Sequence, residues 1–182
     1  LAYLAFTLQV GWGVLASLVG LLLAVTVHEC AHAWTADRLG DPTARLAGRI
    51  SLNPLRHLDP LGTVMMVITA LTGFGIGWGK PVMISPRHLR YGPRLGGGIV
   101  ALSGPAANIF LAIVFGLALR LAPVRTGWLP SVLSLAVVIN LSLALFNLLP
   151  LPPLDGMSVL LGLLSLFRGR WAWQVSQILL SL

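Results

Sequence analysis

Two histidines four residues apart, with a glutamate beside the first, stand at His28-Glu29-Cys30-Ala31-His32. On a helix, His28 and His32 lie one turn apart on one face and can hold a single metal ion, while Glu29 can reach a water on that ion. The surroundings sharpen the argument, because from Val10 to Ala36 the chain is mostly Leu, Val, Ala, Gly and Trp. An ionisable group at the centre of a bilayer costs about 2.5 to 3.5 kcal/mol, so three in one apolar span call for a compensating partner such as a metal. Glu29 is the only glutamate in the chain.

A catalytic zinc takes three protein ligands and keeps a position for water. The remaining acids are Asp37, Asp41, Asp59 and Asp155. The first three sit in polar loop sequence, where a solvated aspartate is ordinary. Asp155 follows the Pro150-Leu151-Pro152-Pro153 break inside an apolar stretch and is the expected third ligand. Cys30 falls roughly opposite His28 on a helix and reads as a packed thiol. His57 lies in a loop from which it could approach the site, and His88, beside Arg87 and Arg90, reads as interfacial. The metal-free alternative, a histidine pair satisfied by neighbouring helices, leaves Glu29 and Asp155 unexplained.

The elements that must position these residues follow from composition. With 182 residues, 57% of them hydrophobic and 9% charged, the chain has too little polar surface for a soluble globule and reads as a single membrane-embedded domain over residues 1–182. The net charge of +7 comes from eleven Arg and one Lys against five acids. Most of these Arg lie between apolar stretches, which fits loops facing anionic lipid better than a nucleic-acid surface. The lone Cys30 allows no internal disulfide. No signal-peptide cleavage pattern precedes the first apolar run, so that helix is expected to be retained.

Apolar runs from about Ala5 to Ala36, Leu95 to Leu121 and Ser131 to Leu149 are each long enough to span a bilayer, which needs roughly 20 residues. The second is interrupted early by Ser103-Gly104-Pro105 and carries Asn108. The third carries Asn140 and Asn147 and must break at Pro150, before a further helix from about Met157 to Phe167. Leu61 to Trp78 is apolar but short and frays into Gly73, Gly75, Gly77 and Gly79. Arg168 to Arg170 reads as a basic turn, and Trp171 to Leu182 as an interfacial helix. The expected fold is an all-α polytopic membrane protein, a bundle of about four to six membrane helices or half-helices. A short membrane-associated β segment is expected near 47–52 and 80–84.

Topology is constrained by the metal. If His28 and Asp155 are to meet one ion, Leu61 to Trp78 must not change sides, and a re-entrant or hairpin segment is expected there. The loops Asp37 to Asp59 and Lys80 to Arg94 then share one face carrying seven Arg and one Lys. The positive-inside rule makes that face cytoplasmic.

Three motifs in this order, the His28 to His32 cluster, Ser103-Gly104-Pro105-Ala106-Ala107-Asn108 and Asn147-Leu148-Leu149-Pro150-Leu151-Pro152-Pro153-Leu154-Asp155-Gly156, resemble the site-2 protease family of intramembrane zinc metalloproteases. Gly48-Arg49-Ile50-Ser51-Leu52-Asn53-Pro54 with His57-Leu58-Asp59-Pro60-Leu61-Gly62 resembles the compact branch without PDZ or CBS domains. The likeness runs from about Leu18 to Phe167, with no departure at the ligand positions. It implies a Zn2+ cofactor held by His28, His32 and Asp155, with Glu29 as the base. It also implies Asn147 as hydrogen-bond partner of the substrate carbonyl or oxyanion. The small residues of Ser103 to Asn108 are expected to let two helices approach closely, and Asn108 to bond backbone freed near Pro105, a role toward substrate being the alternative.

A helical substrate hides its scissile carbonyls in hydrogen bonds and must unwind before cleavage, so an exposed strand edge would help by strand addition. Lys80-Pro81-Val82-Met83-Ile84 is the expected edge, partly because members of that family place a membrane-associated sheet there. The function expected is intramembrane endoproteolysis of a single-span protein within a lipid bilayer, by Glu-assisted attack of zinc-bound water, in a multi-pass protein of a prokaryotic plasma membrane. No nucleic-acid partner is expected. A metal-translocating protein is the rival from another class, but its polar residues would line a path across the bilayer, whereas here they gather at one depth.

Overall fold

The computed structural model describes residues 2–72, 78–123, 126–167, 174–177 and 179, with the side chains of 2–10 excepted. Helix α1 (Ala2–Arg38) opens the chain. A short helix α2 (Thr43–Leu46) and a 3-10 turn (Pro54–Arg56) follow, then α3 (Pro60–Thr72). The bundle is completed by α4 (Gly92–Leu121), α5 (Trp128–Asn147) and α6 (Asp155–Leu164). Among the described residues three stretches are long and apolar enough to cross a membrane: Gly11–Arg38, Gly92–Leu121 and Trp128–Asn147. Their outward faces carry exposed large apolar side chains such as Leu15, Leu23, Phe110, Leu117, Val138 and Leu145. Lipid is the only solvent in which such a surface is favourable over so much of a fold.

Helix α4 is the centre, packing against α1, α5 and α6. Small residues let it do so, since apolar side chains gain nothing by leaving lipid for one another and close backbone approach must supply the contact. Gly98 and Gly162 bring α4 and α6 together so closely that a Cβ on either would lie 3.0 Å from the other's Cα. Contrary to expectation, α4 runs unbroken through Ser103-Gly104-Pro105.

Helix α1 stops where glycine permits. Gly40 has φ +103, and the Gly40 and Asp41 N–H groups donate back to Asp37 O and Ala36 O, the paired bonds of a Schellman motif. The α3 segment begins with Asp59 as cap: its carboxylate accepts the Gly62 N–H at 2.8 Å and its carbonyl accepts Thr63 N–H, with Pro60 in the first helical position.

The segment around α3 leaves and returns on one side. Leu58 pairs with Gly79 in an antiparallel bridge, and the Lys80 N–H donates to His57 O at 2.7 Å. Thirteen helical residues rise about 20 Å, short of a hydrocarbon core about 30 Å thick. This agrees with the hairpin required by the metal argument. The expected glycine fraying at Gly73, Gly75 and Gly77 lies outside the described residues, as do the turn at Arg168 to Arg170 and most of the helix expected over Trp171 to Leu182.

The β segment expected near 47–52 and 80–84 is absent: the described residues contain no strand, only the isolated Leu58–Gly79 bridge. Local chemistry accounts for this. Gly48 takes φ +67, Ser51 Oγ accepts the Asn53 N–H, and Asn53 Oδ1 caps the following turn through Leu55 N–H, so the chain curls before a ladder can form. Pro81 has no N–H to give one.

Candidate metal centre

His28 and His32 occupy one face of α1 with ring centroids 4.6 Å apart and ring planes at 89°. Asp155 arrives from the first turn of α6, 127 residues from His28 in sequence. Its Oδ2 lies 3.1 Å from His28 Nε2 and 3.3 Å from His32 Nε2. Two features deliver it. The proline run ends α5 at Asn147, and Gly156 lets α6 fold back tightly, since a Cβ there would lie 2.3 Å from Leu148 O.

The tautomers of both histidines follow from the backbone. His32 Nδ1 faces Val100 O at 2.8 Å and must donate. Asn140 Nδ2 donates to Ala136 O, which turns Asn140 Oδ1 toward Asn108. Asn108 Nδ2 donates to that oxygen at 2.9 Å and to Ala24 O at 3.1 Å, so Asn108 Oδ1 must be the atom 2.6 Å from His28 Nδ1. Both imidazoles therefore carry hydrogen on Nδ1 in the neutral form and present Nε2 lone pairs to Asp155. Ligand atoms of the three residues lie within 4.8 Å of one another, two nitrogens and a carboxylate oxygen. Either a proton on Nε2 or a metal ion can hold these atoms together at such distances, and two histidines with one carboxylate are a donor set that suits catalytic zinc.

Gly104 on α4 is part of this arrangement. A Cβ there would fall 2.5 Å from His32 Nε2 and 2.7 Å from His28 Nε2, on top of the ligand atoms. The Ser103 to Asn108 motif thus contributes a glycine that makes room and an asparagine that orients, instead of bonding backbone near Pro105. Neither Gly104 nor the Asn140 relay was expected at the site; the signal for the second was a polar residue in an otherwise apolar helix.

The centre opens into a cavity of about 940 Å³ between α1, α4, α5, α6 and the segment after α3. Glu29, half-buried, lines it and makes no hydrogen bond or ion pair among the described residues. Asn147 lines it too, with one amide hydrogen given to Leu143 O at 2.9 Å. Pro81, Val82 and Ile84 form part of the wall, whereas Met83 is 74% exposed and lies outside the lining. Asn108 has no exposed surface and sits behind His28, away from the cavity.

The other candidates are placed elsewhere. His57 is buried and bonds Ser51 O through Nε2 at 2.7 Å; His88 is exposed, with Nδ1 3.6 Å from Asp41 Oδ1. Cys30 is a free, half-buried thiol outside the ligand set. Of the loop acids expected to be solvated, Asp37 pairs with Arg45 at 2.8 Å, Asp59 caps α3, and Asp41 is entirely buried.

Comparison with known proteins bears on the identity. The sequence model of Peptidase family M50 matches residues 122–181, a stretch holding Asn147 and Asp155. Over 152 residues, 78% of this chain, the sequence is 40% identical to YwhC of Bacillus subtilis (strain 168), which carries a zinc metalloprotease name. This chain belongs to peptidase family M50, the site-2 protease family. Rip2 of Mycobacterium tuberculosis (strain H37Rv), which also carries a zinc metalloprotease name, is 34% identical over 148 residues, 79% of this chain. Rip2 of Mycolicibacterium smegmatis is 31% identical over 149 residues. The chain spans 66% of the length of YwhC and 55% of either Rip2. No solved structure matches. With three apolar spans and bacterial relatives, this M50 chain is a multi-pass prokaryotic membrane protein.

Proposed function

We propose that the chain is an intramembrane zinc metalloendopeptidase that hydrolyses peptide bonds in transmembrane segments of single-span membrane proteins. One observation carries the reading: His28 Nε2, His32 Nε2 and Asp155 Oδ2 converge beside Glu29 in a cavity walled by apolar helices. The relatives with zinc metalloprotease names and the match to the Peptidase family M50 model support it.

His28, His32 and Asp155 would hold the metal. When bound, zinc polarises a carbonyl and lowers the pKa of a coordinated water to about 7. Glu29, adjoining His28, takes a proton from the attacking water and returns it to the leaving amine. Asn147 has a second amide hydrogen available for the substrate carbonyl oxygen, whose negative charge grows in the transition state. Asn108, through His28 Nδ1, keeps the ligand ring in one tautomer and orientation. Pro81, Val82 and Ile84 bound the space in which an unwound substrate would lie.

The test is cleavage of a single-span reporter by the purified chain in proteoliposomes, before and after chelation, with zinc added back. Cleavage lost on chelation and restored by zinc is the expected result. Zinc flux across the liposomes with no cleavage of any span would overturn the reading in favour of translocation.

A further inference from the structure

Two buried charges take no part in the metal centre: Asp41, with no exposed surface, and Arg49, 8% exposed. Both end on the same piece of chain. Asp41 Oδ2 accepts the Ser85 N–H at 2.6 Å, while its Oδ1 accepts the N–H and hydroxyl of Thr43. Arg49 Nη1 donates to Arg56 O and to Lys80 O. Lys80 N–H is held by His57 O, and a little further on Arg90 N–H donates to Leu39 O at 2.8 Å. The strap from Lys80 to Ser85 is therefore tied at both ends to the chain that follows α1.

Between the ties its backbone is unused. Among the described residues no hydrogen bond involves the N–H of Val82, Met83 or Ile84, or the carbonyl of Pro81, Val82 or Met83. Yet Pro81, Val82 and Ile84 face the cavity that Glu29 and the ligand triad share. Gly79 presses the start of the strap against α1 there; a Cβ on it would fall 2.6 Å from Val25 Cγ1 and 3.4 Å from Glu29 Cγ. A buried charge is tolerated only where its partners are held in place, so each of these two fixes the backbone it binds.

We propose that Asp41 and Arg49 are positioning residues that clamp the two ends of the Lys80 to Ser85 strap, so that its free backbone presents a fixed pairing edge to an unwound stretch of substrate. The proposal rests on the peptidase reading above. Substrate that has left its helix needs donors and acceptors for its own backbone, and the strap offers both beside the metal centre. Holding the strap in advance removes from the binding step the entropy of ordering it.

The test compares wild type, Asp41→Asn and Arg49→Lys in proteoliposomes, using a synthetic transmembrane peptide with a poly-Leu core interrupted by Asn-Gly. Zinc content should be unchanged. KM should rise about tenfold with kcat within about threefold, the weight of one lost charge-assisted hydrogen bond falling on substrate binding. A nitroxide on Met83→Cys in a Cys30→Ala background should be immobile in the wild type and mobile in both variants. If Asp41→Asn does not accumulate, Arg49→Lys, which keeps the cation and loses the fork, decides on the same readouts. A wild type that cleaves nothing overturns the peptidase reading and this proposal with it. A wild type that cleaves, with variants that keep its KM or an immobile label, overturns the proposal alone, as does a fall in kcat or zinc content at unchanged KM.

Discussion

Asn108 holds His28 through its side-chain oxygen and is held in turn by Ala24 O and Asn140, so its removal reaches the metal centre without touching it. Asn108→Ala should lower zinc affinity about 10- to 100-fold, the range for partners that orient a ligand, read by competition with a chromogenic chelator. Unchanged affinity would mean that packing alone holds the ring. Asp41 gives a different signature. Burial pushes its pKa up, but hydrogen bonds from the Thr43 hydroxyl, Ser85 N–H, Thr43 N–H and His88 outweigh that and hold it below the usual carboxylate range. A depressed folded pKa stabilises fully above the unfolded value, about 3.9, and the contribution fades as pH falls through the folded one. The loss of thermal stability in Asp41→Asn, followed by melting in detergent, should thus be greatest near neutrality and shrink below pH about 4. A gap independent of pH would contradict this. At this scale the histidines, Glu29 and Asp155 were legible because ionisable groups in apolar sequence demand partners. Asp41 was not, because a buried and a solvated aspartate look alike among loop residues.

At the scale of elements, the segment around α3 decides the topology. It departs at Leu58 and returns at Gly79 to pair with it, so reporters fused near Leu52 and near Gly79 should map to the same side of the membrane. Opposite sides would sink the hairpin and with it the meeting of α1 and α6. Among the described residues, the five helices of ten or more residues correspond to apolar runs visible in the sequence, because hydropathy over twenty residues is a strong signal. Shorter structure was less readable. The β segment expected near 47–52 and 80–84 gave way to side-chain turns at Ser51 and Asn53 and to Pro81, local bonds that alternation of residue types does not reveal. Pro105 was read as an interruption, yet α4 continues through it; neighbouring helices can satisfy backbone freed in this way.

Across the whole molecule, the bundle serves to bring α1, α4, α5 and α6 to one depth around three ligand atoms and a cavity. That convergence could be inferred from the order of motifs, and close helix approach was expected at Ser103 to Asn108, but the partners in each close contact could not be read. The small residues at Gly98, Gly104 and Gly162 act through distances between helices, and a glycine in an apolar run is ambiguous until its neighbour is known. In the proposed mechanism the triad holds zinc while Glu29 moves protons. Glu29→Gln preserves size and leaves every ligand in place, so zinc content and cleavage of a single-span substrate, measured on one preparation, separate the two roles. Zinc should be retained at the wild-type level and cleavage reduced about 100- to 10,000-fold. Cleavage near the wild-type rate in that variant would contradict it.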